Sequence, residues 1–235
     1  MPRDLNNMST IGSVENMRAD PAWRSLYKIG GFSFILLGII SLSAVGVFAL
    51  LGPQPENPID SYLVRFAANK LANAIIVVIF SLITILLIPG FLALYQILKP
   101  VNRGIMSVVT VFIGLAVVVS FVTTIIPNIS LFYISDGYNA ASTDAQRGWY
   151  IAATVVARAY QSAAFLFGLT YSSVIVITSL LMRKGSFGRA TVYLGTLGGV
   201  IGMLASISIF SSLFLIFFLL DAIWFLLVGW KIYRS

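Results

Sequence analysis

Few side chains in this sequence can do chemistry. It has 235 residues, with no histidine and no cysteine. Those two absences exclude thiolate nucleophiles, disulfides, Ser-His-Asp triads, histidine-ligated zinc and thiolate-held iron–sulfur clusters. One acid stands apart. Asp221 follows 31 uncharged residues after Arg189 and precedes nine more before Lys231. Ten residues of helix cover about 15 Å, which places Asp221 near the middle of a membrane. A carboxylate at that depth costs roughly 2.5–3.5 kcal/mol on insertion scales, and intramembrane acids serve as proton-relay or cation-site groups. The alternative role is structural: a protonated Asp hydrogen-bonded to a Ser, Thr or Tyr of a neighbouring helix. No second acid lies within an apolar run, so an aspartyl pair cannot form, and the chain is expected not to be an enzyme. No cofactor or metal site is expected either.

Arg158 is a poor counter-ion for Asp221. It precedes Arg183 by 25 residues, roughly 37 Å of helix, which leaves a gap of about 20 Å between the two. With Gln161 one turn on, it is expected to line an outward-facing vestibule or to satisfy local polar groups. Pro89-Gly90 interrupts a long apolar run, because proline removes a backbone donor and kinks a helix. That kink can expose a carbonyl to a ligand cavity or serve packing alone. Gly195, Gly198, Gly199 and Gly202 form two overlapping GxxxG pairs, whose bare face lets another backbone approach closely. Ala164, Gly168 and Ser172 offer a matching ladder. Packing of these two segments within the chain and homodimerisation through the glycine face are the alternatives.

The elements holding these residues follow from composition. Hydrophobic residues make up 59% and charged residues 10%, with a net charge of +7, far from the roughly 25% charged of soluble domains. A span needs about 20 apolar residues. The intervals between charges predict an all-α membrane protein, a bundle of six transmembrane helices at about 29–51, 70–97, 104–125, 158–182, 189–208 and 212–231. The last two must be joined by a tight turn near Ser206, Ser208, Ser211 and Ser212. With the N-terminus inside, eleven basic residues fall on the cytoplasmic side against Arg65, Lys70 and Arg147 outside, so both termini are expected in the cytoplasm. Residues 1–26 read as a flexible polar tail without a secretory signal, and residues 27–235 as a single domain. Trp23, Tyr27, Tyr95, Trp230 and Tyr233 fit an inner aromatic belt; Tyr62, Tyr133, Trp149 and Tyr150 fit an outer one.

The outer loops are expected to be small. Gly52 to Asp60 carries three prolines and should be stiff, with Asp60 capping the next helix. Asp136 to Arg147 is polar and short. The basic residues sit at helix ends, where anionic lipid headgroups attract them, and form no patch of the kind that binds nucleic acid. The lipid bilayer is therefore the expected partner, with a second copy or another membrane protein beside it.

Several segments resemble an uncharacterised prokaryotic integral-membrane family, domain of unknown function 4386. They are Tyr27-Lys28-Ile29-Gly30-Gly31, Leu98-Lys99-Pro100-Val101-Asn102-Arg103, Ser186-Phe187-Gly188-Arg189 followed by Leu194-Gly195, and Trp224-Phe225-Leu226-Leu227-Val228-Gly229. The resemblance implies a bacterial or archaeal cytoplasmic membrane and the same architecture, but no activity. The family usually has proline where Gly188 stands and a Glu about one turn before Asp221. Two functions follow as expectations: a non-enzymatic protein that binds lipid or a partner, or a small-solute or proton-coupled transporter centred on Asp221.

Overall fold

The computed structural model describes residues 21–51, 59–207 and 212–235. Helices account for the regular structure among these residues. A 3-10 turn at Pro21–Trp23 leads into α1 (Arg24–Leu51), followed by α2 (Ile59–Ala68), α3 (Lys70–Leu98) and α4 (Arg103–Ser120). A π-helical turn, Phe121–Ile125, joins α4 to α5 (Ile126–Ala140). Then come α6 (Thr143–Met182), α7 (Arg189–Ala205) and α8 (Phe214–Tyr233).

Local chemistry explains the joints. Pro100 cannot continue α3, and the Asn102 side chain accepts a hydrogen bond from the Ile105 amide at 3.0 Å, capping α4. Pro127 lacks an amide hydrogen, and its ring would strike the carbonyl four residues back. The helix widens there, and the Ile126 amide donates to Phe121, five residues earlier. Pro89, by contrast, sits within an unbroken α3.

Six helices pack in a cycle: α1 on α3, α3 on α4, α4 on α6, α6 on α7, α7 on α8, and α8 back on α1. Small residues make the closest of these contacts. A Cβ on Gly229 would lie 2.7 Å from the Gly31 carbonyl oxygen, and one on Gly38 2.8 Å from that of Ala222. The backbones of α1 and α8 therefore touch, without side chains between them. Phe34, Leu87, Phe91, Met106, Ile175 and Trp224 fill the middle of the cycle. The outward faces are apolar as well: Phe32, Val78, Val111, Val118, Leu166 and Leu197 are all exposed. A surface of that kind suits lipid and not water. Five segments are long and apolar enough to cross a membrane: Arg24–Ser43 and helices α3, α4, α6 and α8. The 17 residues of α7 reach about 25 Å, short of a hydrocarbon core roughly 30 Å thick.

Three expectations are corrected. Helix α6 begins at Thr143, not near 158, and α4 continues through the π turn to Ala140, so only Ala141 and Ser142 separate the two rods. Polar composition suggested a loop; those residues instead hold a helical hairpin together. The Trp149 ring packs on Gly137, Gln146 reaches the Tyr138 carbonyl at 3.3 Å, and Lys70 pairs with Asp136 at 2.6 Å. The hairpin shares a second hydrophobic cluster with α2, built from Leu63, Phe66, Leu131, Ile134 and Ala153. Burial there, with the Tyr160 phenol nearby, pushes the Tyr62 hydroxyl up to about 12, and Arg65 pulls it partly back. Tyr27, assigned to an aromatic belt, is buried at 3% exposure in the core. The first helix, expected from about residue 29, starts at Arg24. Residues 1–20, the proline-rich segment 52–58 and the pair Ser208 and Ser211 lie outside the described residues, as does the Asp60 side chain. Helix α7 has ended by Ser206, and α8 begins at Phe214.

Candidate functional site

Asp221 lies on α8, seven residues after Phe214, and is only 5% exposed. The Tyr171 hydroxyl, from α6, donates a hydrogen bond to Asp221 Oδ2 at 2.7 Å. Helix α7 stands between α6 and α8 in the cycle, so this bond passes its glycine face. Gly202 leaves room for the Ser172 hydroxyl and the Phe217 ring, while Gly198 lets Leu220 and the Asp221 backbone approach. A Cβ on Gly199 would come 2.8 Å from the Ser172 carbonyl oxygen, and Gly195 faces Ser179 Oγ and Trp224 Nε1. All four glycines are buried. Their face is filled by α6 and α8 of the same chain. On the α6 side, Gly168 meets Ser206.

Aromatic rings enclose the pair. Phe167 stacks on Tyr171 at 5.5 Å between centroids, and Phe217 meets it edge-on at 6.2 Å. Six buried polar atoms have no hydrogen-bond partner among the described residues: Ser172 Oγ, Thr178 Oγ1, Ser179 Oγ, Thr196 Oγ1, Asp221 Oδ1 and Trp224 Nε1. All six belong to α6, α7 and α8. The result is a polar seam in an otherwise apolar bundle, with one carboxyl oxygen bonded and the other open. Chemically it can hold or pass a proton, or lock three helices together.

The other expected residues fall elsewhere. Arg158 is exposed on α6, thirteen residues and about 20 Å along the helix from Tyr171. The Gln161 side chain lies outside the described residues. Pro89 and Gly90 meet α1: the Phe34 ring sits on Gly90, and a Cβ on Gly30 would come 2.6 Å from the Pro89 carbonyl oxygen. The structure thus brings neither the arginine nor the proline kink to Asp221. No cluster of three or more acids that could hold a metal ion occurs among the described residues.

Only a modest signal marks Tyr171 in the sequence. A tyrosine inside a 24-residue uncharged interval carries a hydroxyl that needs a partner once buried. Its neighbour Ser172 already belonged to the ladder expected to face the glycines. No family model, curated protein or solved structure matches the chain.

Proposed function

We propose that this is a non-enzymatic, multi-pass protein of a prokaryotic cytoplasmic membrane, which works by binding lipid or a membrane partner. It crosses the bilayer six times, with α7 counted as a span alongside the five longer segments, and has both termini in the cytoplasm. In this reading it belongs with the family of domain of unknown function 4386. Its Tyr171–Asp221 bond is a structural lock. The observation that carries the reading is the closed packing of that pair, with Tyr171 and Asp221 each 5% exposed and aromatic rings on both sides of the phenol.

Asp221→Asn tests it. The amide keeps an oxygen to accept from Tyr171, so stability of the purified protein should change by less than about 1 kcal/mol, the ordinary worth of one hydrogen bond. A second reading, a proton-coupled carrier, is favoured by the unpaired Asp221 Oδ1 and the hydroxyls of the seam. Asparagine cannot exchange a proton. If Asp221→Asn folds normally yet abolishes a pH-driven flux in proteoliposomes, the carrier reading replaces the lock.

A further inference from the structure

A cleft of about 350 Å³ opens where the α6–α7 turn meets the end of α8. Its wall carries Lys231 and Arg234, one turn of α8 apart, with Ser186 and Thr191 opposite and Trp230 at its side. Neither cation is in a salt bridge; the one ion pair among the described residues joins Lys70 and Asp136 elsewhere. Arg234 is held by stacking, its guanidinium 4.1 Å from the centre of the Trp230 ring. Helix α7 starts beside the cleft. Gly188 precedes it with no side-chain cap, and the Val192 amide is the first to bond back, to the Gly188 carbonyl. The amides of Arg189, Ala190 and Thr191 are therefore free of helical partners, with the positive end of the helix dipole behind them. Thr191 lines the same cleft and is only 8% exposed.

We infer that this cleft binds a phosphate group. Two cations, the start of a helix and the side chain of a largely buried threonine border one volume, a donor set suited to a tetrahedral oxyanion. No Asp or Glu side chain among the described residues lines the cleft, whereas Ser235, the last residue of the sequence, does. The cleft also has apolar walls, from Phe187, Leu227 and Trp230. A phosphate that brings an acyl chain with it suits such walls, so the phosphodiester of an anionic lipid is the favoured source. A soluble phosphate offers the same oxygens.

The inference rests on the membrane reading only for the lipid source, and the test separates the two. The full chain, purified in detergent with a neutral extension after Ser235, is mixed with phosphatidylglycerol or phosphatidylcholine. Retained lipid is counted by native mass spectrometry. The wild type should keep phosphatidylglycerol in preference to phosphatidylcholine. Lys231→Gln/Arg234→Gln should lower that retention at least about tenfold, the worth of one charge-assisted hydrogen bond. Thr191→Val, which keeps the side chain's shape, should lower it several-fold, and serves alone if the double variant does not fold. Lys184→Gln removes an exposed cation outside the cleft and should have no effect. If inorganic phosphate displaces the lipid and raises the thermal midpoint of the wild type but not of the cleft variants, the source is a soluble phosphate. Equal retention by wild type and cleft variants, with no phosphate shift in either, overturns the inference. So does an equal loss in Lys184→Gln, which would mark diffuse surface charge. Recovery of the chain in a detergent-free soluble fraction would instead sink the membrane reading.

Discussion

At the scale of single residues, the Tyr171–Asp221 bond matters through what its loss leaves behind. Removing one partner of a buried hydrogen bond strands the other, which costs about 1–3 kcal/mol, whereas replacing both with apolar groups of similar shape can be nearly neutral. Asp221 already has one oxygen without a partner, so Tyr171→Phe leaves the whole carboxyl unbonded. We expect Tyr171→Phe to destabilise by about 1–3 kcal/mol, and Tyr171→Phe/Asp221→Leu to cost less than the single change. A double-mutant cycle on the purified protein reads this directly; a double variant as costly as the sum of the singles would refute the lock. Asp221 itself was legible in the sequence because a lone acid in an apolar interval must either do chemistry or find a hydrogen-bond partner. The class of its partner was legible too, as a hydroxyl on a neighbouring helix. Its identity was not. Helix α6 carries Ser162, Thr170, Tyr171, Ser172, Ser173, Thr178 and Ser179, and only the way α6, α7 and α8 pack selects one of them.

At the scale of elements, helix pairing is decided by where side chains are missing. The α7 glycines were readable as a packing face because they repeat at four-residue spacing. The α1–α8 contact uses a seven-residue spacing, Gly31 and Gly38 against Ala222 and Gly229, and no four-residue motif announces it. These elements are far apart in sequence, so nothing local indicates that they meet. The hairpin of α5 and α6 was missed for a different reason: Gly137, Asn139 and Asp136 have loop-like composition, but their helix is stabilised by tertiary contacts that propensity does not see. Glycine substitutions separate packing from propensity. Gly229→Ala drives a methyl group into the α1 backbone, with 2.7 Å to both the Gly31 oxygen and the Ile35 nitrogen, and backbone cannot swing aside as a side chain does. We expect a loss of about 1–3 kcal/mol, as for other overpacked sites. Gly114 in α4 has nothing within 4 Å of its Cβ position. Gly114→Ala should therefore stabilise by about 0.5–1 kcal/mol through the unfolded chain's lost freedom. Thermal midpoints of the two variants measured side by side, if they shift the same way, would contradict this assignment of the α1–α8 contact.

At the scale of the whole molecule, charge and length together define two ends. Lys99 lies 5.7 Å from the Trp23 ring and Lys28 5.9 Å from the Tyr233 ring, tying the ends of α3 and α8 to the start of α1. Gly185, in the α6–α7 turn, packs near Leu98. Arg24, Lys28, Lys99, Arg103, Arg183, Lys184, Arg189, Lys231 and Arg234 therefore gather at one end, with no acid among the described residues there. Asp136 and Asp144 belong to the other end, on the α5–α6 hairpin. Helix α6 connects the two, and its 40 residues measure about 60 Å, twice the hydrocarbon core. The apolar stripe of Val111, Leu115, Val118, Val122, Ile126, Ile129 and Tyr133 runs along the neighbouring rod for about 33 Å. Lipid would thus cover α4 and the start of α5, leaving the Ala141–Ser142 turn in water beyond the headgroups. In the proposed reading the basic end faces the cytoplasm and the hairpin lies outside, as the positive-inside rule would have it. The absence of cysteine makes this testable without a background. Ser142→Cys in intact cells should react with a membrane-impermeant maleimide. Lys184→Cys, at the exposed basic end, should react only after the membrane is opened. Reaction of both from outside would show that α6 does not cross, and the reverse pattern would invert the topology while keeping the helix cycle intact.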